Sequence, residues 1–257
     1  TVQGYLDSVL DDGNVFKDNV VYSAWSGDSV SFSLQKNGTF CNNIVRGGKV
    51  AAYMCRDTTF SGNTVFDSIT SGIYVSLPSH NLIISRNRIF ECKHSGIKIA
   101  NQGEHGAFTE SDYNIDVSEN NIYDSGIYAV EVNHGHLVHI SNNRANSTDI
   151  YFTYVLASSK VTIQNNRCYD FKVAVWSENS DRVIVDGNTF NSIYPTEAHN
   201  VVKFVGSTNS QITNNVVGGH LVYDYYAIDG ASTGLSFYGN SMHKYYSYEE
   251  EKEMCAF

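Results

Sequence analysis

Positive charge is in short supply in this 257-residue chain: 17 Lys and Arg stand against 27 Asp and Glu, a formal net charge of −10. Gripping nucleic-acid phosphates takes clustered cations, and an anionic bilayer asks for the same, so neither nucleic acid nor membrane is an expected partner. No apolar stretch approaches the roughly 18 residues a membrane helix needs. No basic-then-apolar leader opens the chain, which begins Thr1-Val-Gln-Gly-Tyr5. Cysteine is sparse and scattered, at Cys41, Cys55, Cys92, Cys168 and Cys255, an odd number with no C-x-x-C pair. That pattern excludes a disulfide scaffold and a zinc site, and leaves reduced thiols packed as small hydrophobes, as in a protein folded under reducing conditions. There are only two prolines.

Asparagine, by contrast, is abundant: 26 Asn accompany 20 Gly and 18 Tyr. Asn competes with the helical backbone and favours caps and turns, so an all-helical protein is excluded. The length suffices for one large domain or two small ones around a sizeable core.

One phrase recurs along the chain: an apolar residue, two mostly polar residues, an Asn, any residue, then usually an apolar one. It reads Phe16-Lys-Asp-Asn19-Val-Val21 near the start and Phe237-Tyr-Gly-Asn240-Ser-Met242 near the end. Between them the anchors are Asn43, Asn63, Asn87, Asn120, Asn143, Asn166, Asn188 and Asn215. Successive anchors lie 24, 20, 24, 33, 23, 23, 22, 27 and 25 residues apart. A second phrase, Ser71-Gly-Ile-Tyr-Val75, Ser95-Gly-Ile-Lys-Ile99 and Ser125-Gly-Ile-Tyr128, alternates apolar and polar as strands do. A repeat of ~20–25 residues containing strands is a β-solenoid or a leucine-rich repeat. Leucine is rare and no helical period appears, which removes the second. In a solenoid each coil sets the same residue type above its predecessor, so the anchors predict a stacked Asn ladder at one turn, Asn being tolerant of left-handed geometry. The apolar positions predict a continuous dry core.

These phrases resemble the right-handed parallel β-helix superfamily, which includes pectate lyase-like enzymes and phage tailspikes. The fold implied is all-β, a single-stranded parallel β-helix of about ten coils over residues 16–242. Residues 1–15 are then an N-terminal cap or lead-in, and 243–257 a C-terminal cap or tail. So short an N-terminal cap suggests a fragment of a longer protein, its end covered by another domain or subunit. The resemblance implies a polysaccharide partner and a virion-surface or extracellular location. If the likeness is to tailspikes, it also implies a homotrimer. It does not fix the chemistry, because the fold carries lyases, hydrolases, epimerases and inert scaffolds. The Asp-Pro-His-Asp string of the superfamily's epimerases is absent.

The long 33-residue interval carries about ten extra residues, assigned to a loop at 101–114 that brings Glu104, His105, Glu110 and Asp112. Insertions of this kind gather on one face of a solenoid. Strand parity places Tyr74, Lys98, Glu131, Tyr151, Thr153 and Trp176 on the outside of the Gly-Ile strands. With strands ~4.8 Å apart, Lys98, Glu131, Thr153 and Trp176 form a column about 15 Å long. Aromatic faces and polar groups suit a sugar polymer, with Tyr74, Tyr128, Tyr151, Trp176 and His134 as its binding residues. Glycoside hydrolysis needs two carboxyl groups, ~5–5.5 Å apart for retention or ~6.5–9.5 Å for inversion. Glu131 and Glu104 are the expected pair, with Asp124, Glu91 and Glu178 in reserve. A lyase needs instead a base, from Lys98, His134 or Tyr128, and a cation such as Ca²⁺ or Arg to neutralise a uronate. The His134–His139 cluster lacks a completing ligand spacing, so no metal site is expected there and its histidines are read as exposed turn residues. A two-carboxylate hydrolase is the leading expectation, with a lyase, a glycan-binding module or a fibre spacer as alternatives.

Overall fold

The repeat phrase builds one coil of three strands. In the computed structural model, which describes residues 10–23, 27–76, 78–100, 112–146, 151–192, 201–219 and 226–244, the strands of every coil pair with their counterparts in the next. A ten-stranded sheet (sheet 1) runs into the anchor asparagines, from Val15–Lys17 to Ser236–Tyr238, and a second (sheet 2) leaves them, from Val20–Tyr22 to Ser241–Lys244. A nine-stranded sheet (sheet 3) closes each coil, from Asp28–Ser31 to Tyr226–Ile228. All pairings are parallel, and the described residues contain no helix. The expected solenoid of parallel strands is therefore the architecture observed.

Register follows the phrase. Phe40, Phe60, Ile84, Val117, Ile140, Ile163, Val185 and Ile212 stack in one row of sheet 1, fully buried. Val45, Val65, Ile89, Ile122, Ala145, Cys168, Phe190 and Val217 form the matching row of sheet 2. Each fully buried Phe or Ile stabilises its coil by about 1.5–3 kcal/mol through removal from water. Between the two rows sit the asparagines. The Oδ1 of each accepts the backbone N–H and the Nδ2 of the asparagine one coil earlier, at 2.9–3.2 Å. Nδ2 spends its second hydrogen on a sheet 1 carbonyl, as Asn63 does on Phe40.

The left-handed residue is not the asparagine but the one before it. Asp18, Asn42, Arg86, Glu119, Asn142, Asn165 and Asn214 have φ of 54–57°, and Gly62, Gly187 and Gly239 share the conformation. The bend falls there because the anchor must aim its amide along the stack while the chain turns in front of it. Another left-handed row, Asp67, Glu91, Asp124 and Asp170, turns the chain out of sheet 2, and a third, Met54, His134, Ala157 and Asn179, turns it out of sheet 3.

Two boundaries differ from expectation. The segment assigned to the loop at 101–114 ends earlier, since Asp112–Ser118 is a sheet 1 strand whose Tyr113 pairs with His80 and His136. Within the His134–His139 cluster, assigned to an exposed turn, Gly135 opens the strand Gly135–Ser141, and a Cβ there would lie 2.6 Å from Val132 Cγ1. His136 is accordingly no turn residue; it stacks on Tyr113 and its Nδ1 lies 2.6 Å from Ser159 Oγ. Cys55, Cys92 and Cys168 are buried free thiols, and burial pushes Cys55 up to about 11 and Cys92 to about 12. Cys255 lies outside the described residues.

Candidate functional site

The outer face of sheet 3 gathers the polar and aromatic residues. Its central row is Tyr74, Lys98, Glu131, Tyr154, Trp176 and Lys203. Thr153 does not belong to it: it pairs with Val130 and Val175 and is fully buried in the core. Each later strand of sheet 3 enters with two adjacent inward residues, Ala129 and Val130, Phe152 and Thr153, Ala174 and Val175, because the chain rounds the corner between them. Counting parity from Phe152 therefore slips by one.

Glu131 lies at the middle of the row with its side chain only 4% exposed. Lys98 Nζ is 2.8 Å from Oε1, and Asn133 Nδ2 donates to the same oxygen at 2.9 Å. On the other side Ser95 Oγ donates to Oε2 at 2.6 Å, and His94 Nδ1 lies 3.4 Å from it. Donors thus surround both oxygens.

Beside this pair opens a cleft of about 350 Å³ lined by Lys49, Thr70, Tyr74, Lys93, His94 and Lys98. Three ammonium groups and an imidazole line it, and no carboxylate does among the described residues. The paired acids stand at its margins, Asp28 at 3.2 Å from Lys49 and Glu131 at Lys98. Lys49 also sits 4.5 Å from the Tyr74 ring centroid.

From the cleft an aromatic track crosses the later coils. Tyr128 stacks on Tyr154 with centroids 5.0 Å apart and planes at 13°. Trp176 then contacts Tyr151 and Tyr154 at 5.3 and 5.2 Å, and Lys203 Nζ covers the indole at 4.3 Å. Tyr154 OH donates to Glu178 Oε2 at 3.0 Å. From the strand Lys49–Tyr53 to Val202–Val205 there are six strand spacings, a face about 29 Å long. Burial, then the Glu131 charge, raise the Tyr128 hydroxyl to about 12, and burial with the Glu178 bond raises Tyr154 further.

The structure thus brings together Tyr74, Lys98, Tyr128, Glu131, Tyr151 and Trp176 of the expected residues. It separates two others. Asp124 is an exposed corner residue, in the same left-handed position as Asp67 and Asp170. His134 turns the chain at the far end of its strand, six residues or about 20 Å beyond Tyr128. Glu104 lies outside the described residues, so no partner carboxylate for Glu131 is described on that loop. Sequence reading missed His94, Ser95, Asn133, Tyr154 and Lys49. Only His94 and Ser95 carried a signal, since they lead into the recurrent Ser-Gly-Ile phrase directly before Lys98.

The chain matches the family described as the right-handed β-helix region over residues 3–114 and 105–245, and it belongs to that family. No curated protein is significantly similar to it in sequence. Solved structures share the fold. The A-module of mannuronan C-5 epimerase AlgE6 from Azotobacter vinelandii is 14% identical with a TM-score of 0.67, covering 91% of this chain and 65% of its own. DFA-IIIase from Arthrobacter chlorophenolicus A6, without its lid, is 11% identical with a TM-score of 0.62, covering 82% of this chain and 60% of its own. Alginate lyase from Paenibacillus sp. str. FPU-7 is 15% identical with a TM-score of 0.62, covering 86% and 79%. The chain thus spans less than two thirds of the first two of these proteins.

Proposed function

We propose that this chain binds an acidic polysaccharide along the outer face of sheet 3 and cleaves it by β-elimination at the Lys98 cleft, at a cell surface or outside the cell. The observation that carries the reading is the convergence of Lys49, Lys93, Lys98 and His94 on one cleft at the end of an aromatic track, in a chain of net charge −10. Cations concentrated against the overall charge recognise an anion. A uronate carboxylate seated among them loses charge density, which acidifies the C5–H beside it, and lysines take the role that Ca²⁺ takes in the alternative arrangement. The packed row of Tyr128, Tyr154 and Trp176 supplies apolar surface along which the neighbouring sugars can lie. Solved structures of the same fold named for mannuronan epimerisation and alginate cleavage support this reading.

Two-carboxylate hydrolysis is the weaker reading. Glu131 is covered and engaged on both oxygens, so it is poorly placed to protonate a leaving group or attack a sugar. Of the candidate bases, Lys98 is committed to Glu131, Tyr128 keeps its proton at neutral pH, and His134 lies at the far end of the strand.

The test is turnover on alginate, polygalacturonate and neutral glucans, with and without Ca²⁺, following reducing ends and the ultraviolet absorbance of unsaturated uronate together. Both signals on an acidic polymer are expected, and Lys98→Ala should lower kcat/KM by at least ~100-fold. Reducing ends alone would replace elimination by hydrolysis. Binding with no product would leave a glycan-binding module. A tailspike-like assembly on a virion adds one expectation, a homotrimer of 28.6 kDa chains by light scattering.

A further inference from the structure

The hydrogen bonds around Glu131 determine which nitrogen of His94 is free. Ser95 Oγ lies 2.6 Å from Glu131 Oε2 and 2.9 Å from His94 Nδ1. A carboxylate only accepts, so the Ser95 hydroxyl hydrogen is spent on Glu131. Ser95 Oγ can then face His94 only as an acceptor, which requires a hydrogen on Nδ1. Glu131 Oε2, 3.4 Å from Nδ1, favours the same placement. Neutral His94 is therefore the Nδ1–H tautomer, and its basic lone pair is on Nε2. The ring lines the cleft, and its side chain is 40% exposed, against 4% for Glu131 behind it.

From this we infer that His94 is the proton-transfer residue of the site, with Ser95 and Glu131 as its positioning residues; the inference rests on the elimination reading above. Nε2 takes the proton from C5 of a uronate whose carboxylate lies among Lys49, Lys93 and Lys98. The C–H electron pair becomes the C4=C5 double bond as the C4–O4 bond breaks. The imidazolium returns the proton to the departing O4, so the residue ends as it began and no other reactant is consumed. Behind the ring, Glu131 stabilises the imidazolium while it exists, and Ser95 fixes the ring's tilt. The groups facing the ring are Glu131, the lysines of the cleft, Tyr74 and Tyr128, which approaches it edge-on at 5.8 Å.

The experiment compares the full chain with His94→Ala, His94→Gln, Ser95→Ala and Glu131→Gln on alginate and polygalacturonate, with melting curves to establish folding. Both His94 variants should lose ~10²–10⁴-fold in kcat with KM little changed, as removal of a general base does. Added imidazole should restore part of the His94→Ala rate, which a purely structural residue would not allow. Glu131→Gln and Ser95→Ala should lower kcat more than they raise KM. A wild type that releases unsaturated product while His94→Ala and His94→Gln match it within threefold overturns the role alone. A wild type that binds these polymers and releases no product overturns elimination and the role together.

Discussion

At the scale of single residues, Thr153 and Tyr154 show what a one-position slip does. Thr153 occupies a core position between two valines, and its Oγ1 is buried without a partner. Thr153→Val should therefore raise the unfolding free energy by about 1 kcal/mol, read as a higher urea midpoint, because it removes an unsatisfied hydroxyl at constant shape. Tyr154→Ala should instead weaken glycan binding several-fold by calorimetry and leave the fold intact. The sequence made Tyr74, Lys98, Glu131 and Trp176 readable because each follows or precedes a plain inward alternation. It concealed Tyr154, because the doubled inward residues at the corner do not alternate. Asn133 was hidden for a different reason: parity puts it on the face of Glu131, two residues before it on the same strand, but does not report that its amide is spent on that carboxylate.

At the scale of the element, the corner before each asparagine separates two demands that the repeat phrase had merged. The anchor supplies bonds and its predecessor supplies the left-handed bend. Asn120→Ala would remove the acceptor of the Asn87 backbone N–H and of one of its two Nδ2 hydrogens, and with them the amide donor to the Ile84 carbonyl, a loss of about 3 kcal/mol or more by chemical denaturation. Glu119→Gly should act in the opposite direction, raising stability by about 0.5–1 kcal/mol, since Glu119 holds φ at 56° and its ion pair with Arg86 is exposed and long at 3.9 Å. The anchors were legible since ten copies recur at intervals of 20–33 residues with no helical period between them, which a strand-built solenoid explains. The bend was not, because Asp, Asn, Arg, Glu and Gly all occupy it.

Across the whole molecule, two buried thiols and the half-buried Tyr128 phenol tie stability to alkaline pH. Cys55, Cys92 and Tyr128 are raised to about 11, 12 and 12 from ordinary values of 9.0, 9.0 and 10.0, chiefly by burial. The folded chain keeps protons that the unfolded chain releases, so their contribution is complete below pH 9 and is lost as pH climbs through 12. The urea midpoint should fall steadily over that window, and Cys92→Ala should flatten the fall. The bonded row of asparagines has a consequence for how such a molecule can vary. Each Oδ1 is filled by the preceding coil, and each backbone N–H and one Nδ2 hydrogen by the following one, so every interior coil presents the same pair of bonding edges to its neighbours. Length is therefore quantised: the rod can gain or lose material only in whole coils, or by extra residues at its corners. A gain of one coil would lengthen the aromatic face by about 4.8 Å. The reach of the molecule along a polymer is thus a whole number, set by how many times one short phrase is written.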